Sequence, residues 1–123
     1  PDCVTQRVSA RFIEQGHMRR QIQNIIDLYR PRRDAMIKAL KTHMPDSVRW
    51  TTPEGGMFIW VTFNEAVNTD DLFELAVKNK VAFIPGSKFY PKGDIKRNEL
   101  RLNFSYANAE MIKEGIRRLA ELL

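Results

Sequence analysis

An α+β fold, with a small mixed or antiparallel sheet covered by helices, is predicted by three features of this chain. A long helical pattern opens it, two pairs of short apolar runs have strand character, and a helical pattern follows each pair. The order is long helix, two strands, helix, two strands, helix. A helical segment occupies residues 1–44 and an α/β unit residues 45–123.

Each element has a local reason. Val4 to Glu14 is weakly helical, and Gly16 interrupts it. From His17 to Met44, the residues Met18, Ile22, Ile25, Tyr29, Met36 and Leu40 recur at helical steps and form one stripe that must pack on something. Pro31 removes a helical hydrogen bond, which predicts a kink or break between Tyr29 and Arg32; Pro45-Asp46 ends the helix. Arg49-Trp50-Thr51 reads as a short strand. Met57 to Phe63 reads as a longer one, opened by Gly55-Gly56 and apolar enough to be covered on most of both faces.

Asn68 or Thr69 caps the next helix, whose first turn carries Asp70 and Asp71 where the helix dipole favours negative charge; the helix ends near Lys80. Ala82-Phe83-Ile84 forms a third strand, Pro85 to Arg97 a loop, and Leu100 to Phe104 a fourth strand. Asn108 caps the final helix, with Ile112, Ile116, Leu119 and Leu123 as its apolar face.

A length of 123 residues, 43% hydrophobic and 28% charged, describes one ordinary globular domain. No apolar run approaches the roughly 20 residues that span a bilayer. Pro1-Asp2-Cys3-Val4 has neither the basic start nor the apolar block of a signal peptide, so a cytoplasmic location is expected. The chain starts at Pro1 rather than Met, within a helical pattern, as expected of a piece of something longer. A single cysteine, Cys3, fits a reducing compartment and reads as a buried or incidental thiol rather than a nucleophile. The net charge of +5 permits nucleic-acid binding, but the cations are dispersed along helices and no aromatic residues interleave them. Solvated helix faces are the better reading, and nucleic acid is not an expected partner.

His17 and His43 share no metal-ligand spacing, and both read as helix-surface residues. No acid/base couple and no Ser/His/Asp set can be assembled, so neither catalytic nor metal-binding residues are assigned. Gly55-Gly56 leads into a strand rather than a helix, which favours a tight turn over a phosphate cradle. Alternation in Leu100-Arg101-Leu102-Asn103-Phe104-Ser105 sends the apolar residues to one face and Arg101, Asn103 and Ser105 to the other. A strand-borne arginine can grip a carboxylate through two parallel hydrogen bonds, although alternation alone favours a surface arginine on the exposed face of an edge strand.

Thr52-Pro53-Glu54-Gly55-Gly56-Met57-Phe58-Ile59-Trp60, Val81-Ala82-Phe83-Ile84-Pro85-Gly86-Ser87, Leu100 to Ser105, and Glu114-Gly115-Ile116-Arg117-Arg118-Leu119 stand in the order and spacing of a known family. Together they resemble the C-terminal small domain of a fold type I, class I/II PLP-dependent aminotransferase, closest in flavour to the 2-aminoadipate group. His17 to Ile22 and Tyr29 to Asp34 resemble that family's interdomain helix. The resemblance implies amino transfer from an α-amino acid to a 2-oxo acid by a homodimer, with Arg101 holding the substrate α-carboxylate. Gly56, Ser87 and Phe89 become cleft-lining candidates, with an ordinary surface loop as the other reading of Ser87 and Phe89.

In this family the cofactor domain, its Schiff-base lysine and the phosphate-binding residues lie upstream, so the resemblance implies that they are absent here, that Lys88 is not that lysine, and that this chain alone holds no PLP and is inactive. The effector-binding half of a GntR-type transcription regulator is an alternative of the same fold. A free-standing basic nucleic-acid-binding module is another.

Overall fold

The computed structural model describes residues 2–123. Pro1, where the helical reading of the N-terminus begins, lies outside them. Helix α1 spans Cys3–Glu14 and takes Asp2 as its N-cap, the carboxylate accepting from the Thr5 amide at 2.9 Å. Gly16 turns the backbone left-handed at φ 76°, and α2 runs from His17 to His43.

Helix α2 continues through Pro31 without the expected break. The proline leaves the Asp27 carbonyl, four residues back, without its helical donor, but both residues are exposed, so solvent can take the place of that donor.

The strands are β1 (Arg49–Trp50), β2 (Phe58–Thr62), β3 (Ile84–Pro85) and β4 (Glu99–Asn103), in the order β1-β2-β4-β3. Every pairing is antiparallel, which decides between the mixed and antiparallel options. Helix α3 (Thr69–Lys78) connects β2 to β3, and α4 (Ala109–Ala120) follows β4. The third strand lies later than its apolar run predicts, because only Ile84 and Pro85 pair, opposite Arg101 and Leu100. Phe83 is buried instead, its ring packed edge-on against Phe73 at 5.6 Å. Pro85 is tolerated because β3 is an edge strand. The following loop opens with a 3₁₀ turn, Gly86–Phe89.

One sheet face makes the core. Ile59, Val61, Leu100 and Leu102, with Phe104 just past β4, are buried with Met36, Ala39 and Leu40 of α2, Leu72 and Ala76 of α3, and Ile112, Ile116 and Leu119 of α4. Full burial of such a side chain stabilises by about 1.5–3 kcal/mol, so this single face dominates the fold. The other face is open, contrary to the two-sided covering expected for β2: Phe58 is exposed, and Trp60 and Thr62 are half-buried. Apolarity of the β2 run reflects aromatic residues placed on that open face, not burial on both sides.

The α2 stripe is likewise covered in its second half only. Met36 and Leu40 are buried and Tyr29 packs edge-on against Phe104 at 6.4 Å, whereas Met18 and Ile22 are exposed. Leu123 also falls outside the packed face, beyond the end of α4.

Asn68 caps α3, accepting from the Asp70 amide at 3.0 Å. Thr69 is the first helical residue and is buried, its hydroxyl reaching the Arg97 and Glu99 carbonyls at 2.9 and 2.7 Å. This contact ties the start of α3 to β4.

On α4, the guanidinium of Arg117 donates to Glu114 at 2.8 and 2.9 Å, and that of Arg118 at 2.7 Å. Arg117 also pairs with Glu121. The hydrogen bonds from Arg117 and then Arg118 hold the Glu114 carboxyl at about 2, below its ordinary 4.5. A carboxyl with a depressed folded-state pKa contributes stability that is fully present above its unfolded value and is lost as pH falls. The unfolding midpoint should therefore decline as pH drops from 4.5 toward 2, and Glu114→Gln should flatten part of that decline. Thermal melts across this window check it; identical slopes for both proteins would contradict the assignment.

Candidate functional site

Strand β4 lies between β2 and β3, so Arg101 stands in the interior of the sheet and not on the edge strand that its surface reading supposes. The register sets Trp60 opposite it on β2 and Ile84 opposite it on β3. Period-two alternation in β2 brings Phe58 and Trp60 to the same open face as Arg101. The Arg101 guanidinium carbon lies 3.8 Å from the centre of the Phe58 ring and 4.4 Å from that of Phe89. Its Nε is buried and has no hydrogen-bond partner, and none of the described ion pairs involves it.

A buried donor left unpaired costs about 1–3 kcal/mol, and a cation resting on an aromatic face recovers roughly 0.5–2 kcal/mol of that. The rings offer attraction without hydrogen-bond acceptors. The N–H groups of the planar fork therefore stay available for a carboxylate, which the guanidinium can bind through two parallel bonds.

The 3₁₀ turn brings Phe89 to this place and is pinned on several sides. At Gly86 the backbone approaches β4 so closely that a Cβ would lie 2.8 Å from both the Cβ and the carbonyl oxygen of Glu99. The Ser87 hydroxyl donates to Asp70 at 2.7 Å, and Lys88 and Arg97 reach the same carboxylate at 3.7 and 3.2 Å. The Tyr90 hydroxyl donates to the buried Glu99 carboxylate, a bond that raises the tyrosine pKa. The Phe89 ring also packs edge-on against Trp60, with ring centres 5.4 Å apart.

Of the residues singled out in the sequence, Arg101 and Phe89 are brought together. Ser87 sits in the same turn, but its hydroxyl is engaged by Asp70. Gly56 adopts φ 75°, as a tight turn requires, and lines a cleft of about 320 Å³ with Tyr29, Arg30, Arg33 and Phe104. Arg101 and Phe89 are not among the walls of that cleft. Sequence reasoning missed Phe58, Trp60 and Gly86. The alternation of β2 could have identified the first two, whereas the close approach at Gly86 exists only once the turn is folded against β4.

Cys3 is exposed rather than buried, leaving the incidental reading. His17 is half-buried beside Phe12 with ring centres 5.4 Å apart, and His43 is half-buried too, so neither is a plain surface residue. Among the described residues no group of acidic, His or Cys side chains could hold a metal ion, and no helix is long and apolar enough to cross a membrane.

An antiparallel α+β unit that presents a strand-borne, unpaired arginine can receive a carboxylate. The chain belongs to the aminotransferase class I and II family, whose model matches residues 2–119. It is 48% identical over 122 residues to aromatic-amino-acid aminotransferase 1 of Thermococcus litoralis, covering 99% of this chain and 29% of that protein. The crystal structure of a multiple substrate aminotransferase from Thermococcus profundus superposes with a TM-score of 0.85 at 49% identity, over 90% of this chain and 27% of that one. The α-aminoadipate aminotransferase of Thermus thermophilus, solved with N-(5'-phosphopyridoxyl)-L-leucine, matches at a TM-score of 0.82 and 35% identity, over 92% of this chain and 28% of that one. The chain spans less than a third of the length of each relative. These matches establish a partial domain of a fold type I PLP-dependent aminotransferase and favour neither the regulator nor the nucleic-acid alternative.

The residues of this chain do not fit the PLP cofactor itself. Every lysine is exposed, and the one nearest the arginine site in sequence, Lys88, has a side chain 68% exposed and lies 3.7 Å from Asp70. A lysine that carries a cofactor must be shielded and held near it. The Arg101 corner has aromatic walls and no such amine.

Because a Cβ at position 86 has no room, Gly86→Ala should force the 3₁₀ turn away from β4 and cost about 1–3 kcal/mol. Urea unfolding measures this. A variant within roughly 0.5 kcal/mol of the parent would show that the contact yields freely.

Proposed function

We propose that this chain is the C-terminal, substrate-gripping part of a longer PLP-dependent aminotransferase that transfers the amino group of an α-amino acid to a 2-oxo acid. Residues 1–44 form the helical connection to a cofactor domain outside this chain, and residues 45–123 form the small domain. The longer protein is a cytoplasmic homodimer whose PLP is held by residues beyond this chain. The chain alone neither holds PLP nor transaminates.

Arg101 receives the substrate α-carboxylate. The observation that carries this reading is its buried Nε without a partner, on a guanidinium already resting against two rings. A substrate carboxylate pairs with the terminal N–H groups of the fork, which fixes the direction from which the Cα substituents project. Phe58 and Phe89, themselves exposed, keep water from the faces of the guanidinium and leave its N–H edge open to an acceptor.

Replacement of Arg101 by Lys in the longer enzyme keeps the charge and loses the planar two-bond contact. Loss of such a grip at a water-excluded site is worth on the order of 2–4 kcal/mol, or roughly 30- to 1000-fold in kcat/KM. The effect is expected against substrates bearing an α-carboxylate, with amines lacking it much less affected. Steady-state kinetics on both substrate types checks the role, and values for all amino acids within about twofold of the parent enzyme would overturn it.

A further inference from the structure

We infer that Phe89, with Phe58 as its counterpart, is a positioning residue that keeps Arg101 directed and free of protein counter-ions. This rests on the reading that Arg101 receives the substrate carboxylate. A half-buried guanidinium without a partner has two escapes: it can swing into solvent, or it can close on an acidic side chain of its own domain. The second escape is disfavoured because the acids already have partners. At this corner Asp70 is engaged by Ser87, Lys88 and Arg97, and Glu99 accepts from the Tyr90 hydroxyl.

The first escape is opposed by the rings. Phe58 and Phe89 attract the cation at 3.8 and 4.4 Å, yet neither takes one of its hydrogen-bonding N–H groups. Phe89 holds its own place because the turn bearing it is closed by Gly86 against Glu99 and by Ser87 against Asp70, while Trp60 packs on its ring at 5.4 Å. The network of polar contacts around the 3₁₀ turn therefore acts on the substrate through a single aromatic ring. The polar residues of the turn secure Phe89, and Phe89 orients Arg101.

The test compares Phe89→Leu, Phe89→Met and Phe89→Tyr with Arg101→Lys in the complete aminotransferase, using an amino acid and the matching amine without the carboxylate. Leu and Met remove the ring face while retaining apolar bulk, and Tyr restores the face. A lost cation–π contact corresponds to roughly a 2- to 30-fold rise in KM for the amino acid, with kcat within about twofold and the amine unaffected. Phe89→Tyr should stay within roughly threefold of the parent. Should Phe89→Leu fail to fold, Phe89→Met gives the same reading. An unchanged KM in the folded ring-less variants overturns the positioning role, and so does an equal loss on the amine or a Tyr variant as impaired as Leu. If Arg101→Lys discriminates between the two substrates while the Phe89 variants do not, the positioning role alone fails. An Arg101→Lys enzyme with unchanged kinetics removes the carboxylate reading and this inference with it.

Discussion

The guanidinium of Arg101 rests against Phe58 and Phe89 with its Nε buried and unpaired, and the neighbouring elements are arranged so that this state persists. It depends first on register. The antiparallel pairing of β2 with β4 sets Trp60 opposite Arg101 and Phe58 opposite Asn103, so that alternation delivers both rings to the arginine's face. A slip of one residue would replace Phe58 and Trp60 on that face by Ile59 and Val61 and expose the core. The hydrophobic pattern that stabilises the domain thereby also specifies the site.

The two sheet faces divide the work. The packed face, with Leu40, Leu119 and Phe104 among its fully buried side chains, supplies the stability that offsets an uncompensated cation on the other. The open face is covered only where the 3₁₀ turn crosses it, and its contacts are short-range and polar apart from the Phe89 ring. Thr69 joins the two systems, because its hydroxyl fastens the start of α3 to the backbone of β4 just before the arginine. The exposed first half of the α2 stripe completes this asymmetry: apolar residues that the domain itself does not use lie toward the N-terminal end, with the packed half beyond Tyr29.

Helix positions, caps and the apolar faces of β4 and α4 were legible because each rests on local periodicity or on a side chain that caps its own helix. Asn68 and Asn108 both cap as their sequence positions predict. Pro31 was misleading because propensity penalises a missing hydrogen bond without knowing that the stranded Asp27 carbonyl is exposed. The apolar run of β2 reads as covered on both faces, since composition cannot separate a ring that packs in a core from one that supports a cation. Phe83 reads as a strand residue because an apolar run does not reveal which of its residues pair, and its ring belongs to the core beside Phe73. Arg101 and Phe89 were found as separate residues on a motif, but their contact spans different elements and needs the turn at Gly86. Ser87 and Gly56 were marked by the same resemblance and lie in different surroundings, one fastened to Asp70 and the other in a cleft against α2.

Whether a carboxylate completes the unpaired Arg101 is tested most directly by a crystal structure of the complete aminotransferase with an amino acid bound. The predicted result is a substrate carboxylate bound by two N–H groups of the Arg101 guanidinium at roughly 2.7–2.9 Å, with Phe58 and Phe89 still against it. A carboxylate held by a different cation, with Arg101 turned to solvent or closed on Asp70 or Glu99, would contradict it.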